Sequence, residues 1–254
     1  RTCQGGAGKS PRQPAHADAH LNLGNLLIDL GQIQEAAQIY EAGTKARRAP
    51  GNRKNERQDT FRKTSPSKLK HDIEQLQYLL ERGRLTEPYH QIMCDYHAAL
   101  AALPSWQPGV STVDLPVTQA AQMAPHYNRL IYKPDTPAIP DGAVNRSLDR
   151  PAIEADYLRN APGITHLDNF LTPAALASLR QFCLEATVWF QFRYANGYLG
   201  AFMDDGFCCP LLMQIAEELP RSLPAIFGNH TLRKLWAFKY DSQLSGIPIH
   251  ADFA

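Results

Sequence analysis

What the chain lacks narrows its class first. No apolar run approaches the roughly 20 residues that cross a bilayer, so no membrane-spanning helix is expected. No charge of either sign dominates. The 26 Lys and Arg against 25 Asp and Glu leave +1, which removes any overall reason to expect nucleic acid or a membrane surface as partner. Cysteine is sparse and unpatterned: Cys3, Cys94, Cys183, Cys208 and Cys209 are odd in number and show no C-x-x-C spacing. That argues against a disulfide framework and for a reducing, cytoplasmic setting, with Cys208 and Cys209 a reduced, partly buried pair. A phosphate loop is missing too, although residues 3–10 read C-Q-G-G-A-G-K-S. The pattern needs glycine at Cys3, a strand before and a helix after, and Pro11 and Pro14 would block that helix. Residues 1–14 read as a flexible leader. What remains, 44% hydrophobic and 20% charged over 254 residues, is ordinary globular composition for one large or two modest domains.

Helical spacing begins at Ala15. Ala19 to Leu30 carries apolar residues at helical intervals and stops at Gly31, suited to a left-handed cap. Gln32 to Ala42 is its return partner. Small Gly24 and Ala36 allow close approach, with Leu23, Leu27, Ala37 and Tyr40 expected in the seam. The order leucine-glycine, leucine, turn glycine, alanine and aromatic resembles a tetratricopeptide repeat. His71 to Gly83 and Glu87 to Leu103, the latter broken near Pro88, form a second pair with a degraded signature: Leu76 stands where a small residue belongs and Pro88 where alanine belongs. One repeat cannot bury its own faces, so earlier repeats and a protein or peptide partner are implied. Residues 15–103 form this region.

Between the pairs, residues 45–70 are basic (Lys45, Arg47, Arg48, Arg53, Lys54, Arg57, Arg62, Lys63, Lys68, Lys70), with Glu56 and Asp59 opposing. A solvated linker is the plain reading. RNA contact is the alternative, weakened because only Phe61 offers a stacking surface. Residues 104–156 are proline-rich, with seven prolines between positions 104 and 140. They are too apolar for a free linker, so a connector docked through Trp106, Tyr127, Leu130, Ile131 and Tyr132 is expected, with His126 on the surface.

From Tyr157 the pattern changes again. Ile164–Phe170 reads as a strand, Thr172 and Pro173 as the N-cap and first residue of a helix to Glu185, and Thr187–Phe192 as a strand. Tyr194–Gly206 reads as a loop, Leu211–Phe227 as helix in two pieces about Pro220 and Pro224, and Leu232–Tyr240 as a core strand. Ile247-Pro248-Ile249 then delivers His250 and Asp252. On a strand these share one face, with Cβ atoms about 6–7 Å apart, close enough to grip one metal ion.

H-x-D is two thirds of the facial triad of non-haem Fe(II) oxygenases. The Lys239-Tyr240 strand, the small polar loop and the H-A-D-F ending, with the upstream Asn169-Phe170-Leu171-Thr172-Pro173, resemble the prolyl 4-hydroxylase-like branch of the 2-oxoglutarate, Fe(II)-dependent dioxygenases. The resemblance covers roughly residues 157–254. It implies Fe(II) held by His250 and Asp252 and 2-oxoglutarate contacted by Tyr240, for which a plain core or rim tyrosine stays open. It also implies a hydroxylase activity and the first part of a double-stranded β-helix (jelly roll) of about eight strands. The family's second metal histidine and its basic 2-oxoglutarate residue lie downstream of H-x-D. Since the chain runs from Arg1 to Ala254, truncation at both ends and an inactive fragment are expected. The overall expectation is α+β: a helical repeat, then a partial jelly roll with flanking helices. A scaffold whose oxygenase fold has lost its chemistry is the competing reading.

Overall fold

The computed structural model describes residues 17–52, 59–105, 110–194 and 197–240. Within them the class is α+β: ten α-helices and two small antiparallel sheets of two strands each.

The first hairpin forms as its sequence dictates. Helix α1 (Ala17–Asp29) ends at Gly31, whose φ of 73° is the left-handed conformation glycine tolerates best. Helix α2 (Ile33–Arg48) then returns. A Cβ on Gly24 would stand 2.3 Å from the Tyr40 ring, so only glycine admits the tyrosine there. The Tyr40 hydroxyl donates to Asn25 Oδ1 at 2.7 Å. Ile28, Ala36 and Tyr40 are the buried hydrophobic residues of the pair, whereas Leu23, expected in the seam, is 44% exposed. Those three join one core with Phe182, Val188, Trp189, Leu199 and Leu211, so the hairpin rests on the second half of the chain.

A short helix α3 (Asp59–Arg62) leads into β1 (Lys63–Thr64), which pairs antiparallel with β2 (Val113–Asp114). Helix α4 (Pro66–Glu81) starts earlier than its apolar pattern suggests, because Ser65 caps it through the Lys68 amide at 3.1 Å and Pro66 takes the first position. In α5 (Pro88–Ala101), Pro88 opens the helix instead of breaking it. Leu69, Ile73, Leu76, Tyr96 and Ala99 build a second core. Onto it packs the proline-rich stretch, through Leu115, Met123 at the end of α6 (Val117–Met123) and Tyr127.

The basic stretch is not a solvated linker where it is described. Arg48 is 2% and Lys68 3% exposed. Arg48 gives Nε and Nη2 to the Asp205 carboxylate, and Arg47 adds a third bond at 2.9 Å. The Arg48 guanidinium lies 4.2 Å from the Phe190 ring centroid and 5.2 Å from that of Phe61. The hairpin is thereby tied to the short 3-10 turn Met203–Asp205.

Several expectations for the second half are corrected. Ile164–Phe170 is not a strand: Ile164 is 65% exposed, Asn169 sits at φ 53°, and only Leu171 bridges, to Val144. Helix α7 (Arg150–Arg159) precedes it. The cap that follows forms as read, with Thr172 accepting from the Ala175 amide at the start of α8 (Pro173–Glu185). Thr187–Phe192 is a mostly buried extended run that reaches β-pairing only at Gln191, which bridges to Gly200, because side chains take up several neighbouring carbonyls. Gln75 donates to the Ala186 carbonyl, Lys68 to that of Trp189 and Asn128 to that of Phe190. Inside the expected loop, Leu199–Phe202 is β3. It pairs antiparallel with β4 (Trp236–Lys239), Leu199 opposite Lys239. β4 is short and half-exposed, not a core strand, since among the described residues β3 alone pairs with it. Helix α9 (Pro210–Ser222) runs through Pro220, and the break falls at Leu223 before α10 (Pro224–Phe227). Among the described residues these strands do not make a jelly roll.

Candidate functional site

The proposed metal ligands His250 and Asp252 lie outside the described residues. Tyr240 is described, just past β4 and 47% exposed. Its ring packs on Tyr198, centroids 5.2 Å apart, and Tyr198 stacks on Tyr194 at 4.0 Å. Phe238 stands edge-on to Tyr194 and Tyr198. This ladder holds Tyr240 at the rim of a cleft of about 690 Å³ between α4 and the end of β4. Helical spacing brings Ser67, His71, Glu74 and Tyr78 to one wall, while Lys239 and Tyr240 form the opposite one.

Into this cleft opens a chain of ionisable groups that sequence reasoning missed. Lys68 Nζ donates to Asp72 Oδ1 at 2.7 Å, and the same oxygen lies 3.1 Å from His71 Nδ1. His71 Nε2 in turn lies 3.2 Å from Lys239 Nζ. Burial would raise the Asp72 carboxyl, but Lys68 and the His71 hydrogen bond outweigh it and hold it below its ordinary value. Burial drives His71 down to about 4 against the opposing pull of Asp72, so the imidazole is neutral at pH 7. The hydrogen-bond network assigns its proton to Nδ1, facing Asp72, leaving the Nε2 lone pair to accept from Lys239. Burial also lowers Lys239, to about 8. Its ammonium sits 4.3 Å from the Trp189 ring centroid, a cation–π contact. The available signal was the Lys68/Asp72 spacing at i,i+4 in a sequence otherwise read as linker and helix start.

His126, expected on the surface, has its Nδ1 buried and its ring edge-on to Tyr89 at 5.9 Å. The cysteines of the described residues are free thiols, with Cys208 and Cys209 both buried and both raised, to about 12 and about 11, by that burial. No helix among the described residues is long and apolar enough to cross a membrane, and no group of three metal-ligating side chains occurs among them.

Neither family models, nor curated proteins, nor solved structures match the chain.

Proposed function

We propose that this chain belongs to a 2-oxoglutarate- and Fe(II)-dependent dioxygenase, a hydroxylase whose helical hairpins recruit a protein or peptide. The observation that carries the reading is the H-x-D pair, His250 and Asp252, which follows in sequence the strand that ends at Lys239, with Tyr240 just past it. The Thr172 cap and Pro173 helix start, which the resemblance also calls for, support it. Tyr240 lines a cleft of about 690 Å³, a volume that admits a dicarboxylate. In this reading His250 and Asp252 hold the iron, and a downstream histidine completes the triad. When bound, the iron would couple O₂ reduction to decarboxylation of 2-oxoglutarate to succinate. The part left to the described residues is to shape the cleft and fix its charge.

The test is Fe(II)-dependent succinate release by the full-length protein beside a His250→Ala variant. Release that the substitution abolishes is the expected result. A folded protein that neither binds Fe(II) nor releases succinate overturns the reading.

The scaffold reading is favoured by one observation, the outer face of α1. Leu23 and Leu26, with Leu30 just past the helix end, are 44%, 54% and 64% exposed, an apolar stripe of the kind a helical partner covers. Recruitment through this face is compatible with either reading, and Leu26→Lys would weaken it without affecting succinate release.

A further inference from the structure

We propose that the cleft between α4 and β4 binds a carboxylate-bearing ligand whose anionic group pairs with the Lys239 ammonium. The observation is a charge imbalance. Lys68 and Asp72 neutralise one another, and His71, neutral, gives its second nitrogen to Lys239. Lys239 is thus held by an imidazole lone pair and an aromatic face, and among the described residues no carboxylate forms an ion pair with it. The groups whose fields reach it are His71, Asp72, Lys68 and Glu74 from α4 and Cys183 from α8. Glu74 lines the same cleft and makes no ion pair with it.

A largely buried ammonium without a counter-charge is unfavourable. It has two remedies: losing its proton, towards which burial already drives it, or gaining an anion. Asp72 faces the protein side, so an anion must come from the cleft. Its about 690 Å³ admits a small ligand, and Lys70 on the same wall adds positive charge. A carboxylate suits the site because the ammonium presents point-like donors and Tyr240, which carries a hydroxyl, also lines the cleft. In the oxygenase resemblance the residue gripping the far carboxylate of 2-oxoglutarate lies beyond Asp252, so Lys239 is not that residue. The inference stands without the oxygenase reading.

Two sources share this chemistry, a free dicarboxylate and the acidic side chain of a peptide. Succinate and N-acetyl-glutamate N-methylamide therefore serve as separate probes in calorimetry, without metal. At least one should bind at pH 7, and which one identifies the source. Lys239→Met should weaken that binding at least about tenfold, since a fully charged partner is lost, while Lys239→Arg retains most of it. A saturating probe should also raise the Lys239 titration, followed by NMR of its ε-methylene, from its starting point near 8. Above that point affinity should fall towards about tenfold per pH unit, because binding then takes up one proton. No binding of either probe overturns the proposal, as does binding unchanged in Lys239→Met. If Lys239→Met fails to fold, the titration in the unaltered protein decides: a Lys239 midpoint that the probe does not move refutes the site.

Discussion

Replacing Asp205 by alanine should be among the most damaging single changes in this chain. Asp205 is 7% exposed and accepts from Arg48 Nε at 3.0 Å and Arg47 Nη2 at 2.9 Å, with Arg48 Nη2 on its other oxygen. Arg48 cannot shed its proton. It is sealed between Phe61 and Phe190 and would keep only the Asn128 carbonyl at 3.2 Å. Removing one partner of a buried pair and stranding the other costs about 3–5 kcal/mol. With a urea slope near 3 kcal/mol per molar for a chain of this size, the midpoint should fall by about 1–2 M. The loss arises from the stranded cation more than from the missing attraction. The double variant Arg48→Met with Asp205→Leu should therefore regain at least about 2 kcal/mol over Asp205→Ala. A midpoint shift below about 0.3 M for Asp205→Ala, or a double variant no better than the single, would refute this account of how the hairpin is fastened.

Three further outcomes follow from the same structure. For Lys239, the folded value of about 8 lies below the ordinary 10.5, so between them the unfolded chain binds more protons and stability rises with pH. The penalty, about 3 kcal/mol, is fully present below pH 8 and gone above 10.5, so Lys239→Met should be at least as stable as the parent at pH 7 and lose that slope in melts run from pH 7 to 10.5. Gly24→Ala should destabilise by about 1–3 kcal/mol, because the added methyl meets the Tyr40 ring; a Tyr40→Leu background should relieve much of this in chemical denaturation. Thr172→Ala should cost about 1 kcal/mol through loss of the cap to Ala175, and Thr172→Ser should not.

The parts legible in the sequence were those fixed by local chemistry. Gly31, Gly83, Thr172 and Pro173 mark helix ends through backbone conformation and capping alone, and the α1–α2 hairpin follows from the Gly24–Tyr40 fit. Non-local partners were not legible. Thr187–Phe192 has the composition of a strand, yet it pairs only through Gln191, because Lys68 and Asn128, far away in sequence, occupy the Trp189 and Phe190 carbonyls and Gln75 that of Ala186 just before the run. Lys68 and Arg48 read as solvent-facing because their counter-charges come from the next helical turn and from Asp205. At the cleft, Tyr240 was singled out through the family resemblance, as the last residue of the strand read over Leu232–Tyr240. Lys239 and His71 were missed because their proximity exists only once α4 packs beside β4.

The oxygenase reading is tested most directly by anaerobic titration of the full-length protein with Fe(II) and 2-oxoglutarate. The observable is the visible charge-transfer absorption that arises when the 2-oxo acid chelates the iron. A band that saturates at one equivalent of each and disappears in Asp252→Ala is what the account predicts. A folded protein that shows no band, or one that Asp252→Ala leaves unchanged, would contradict it.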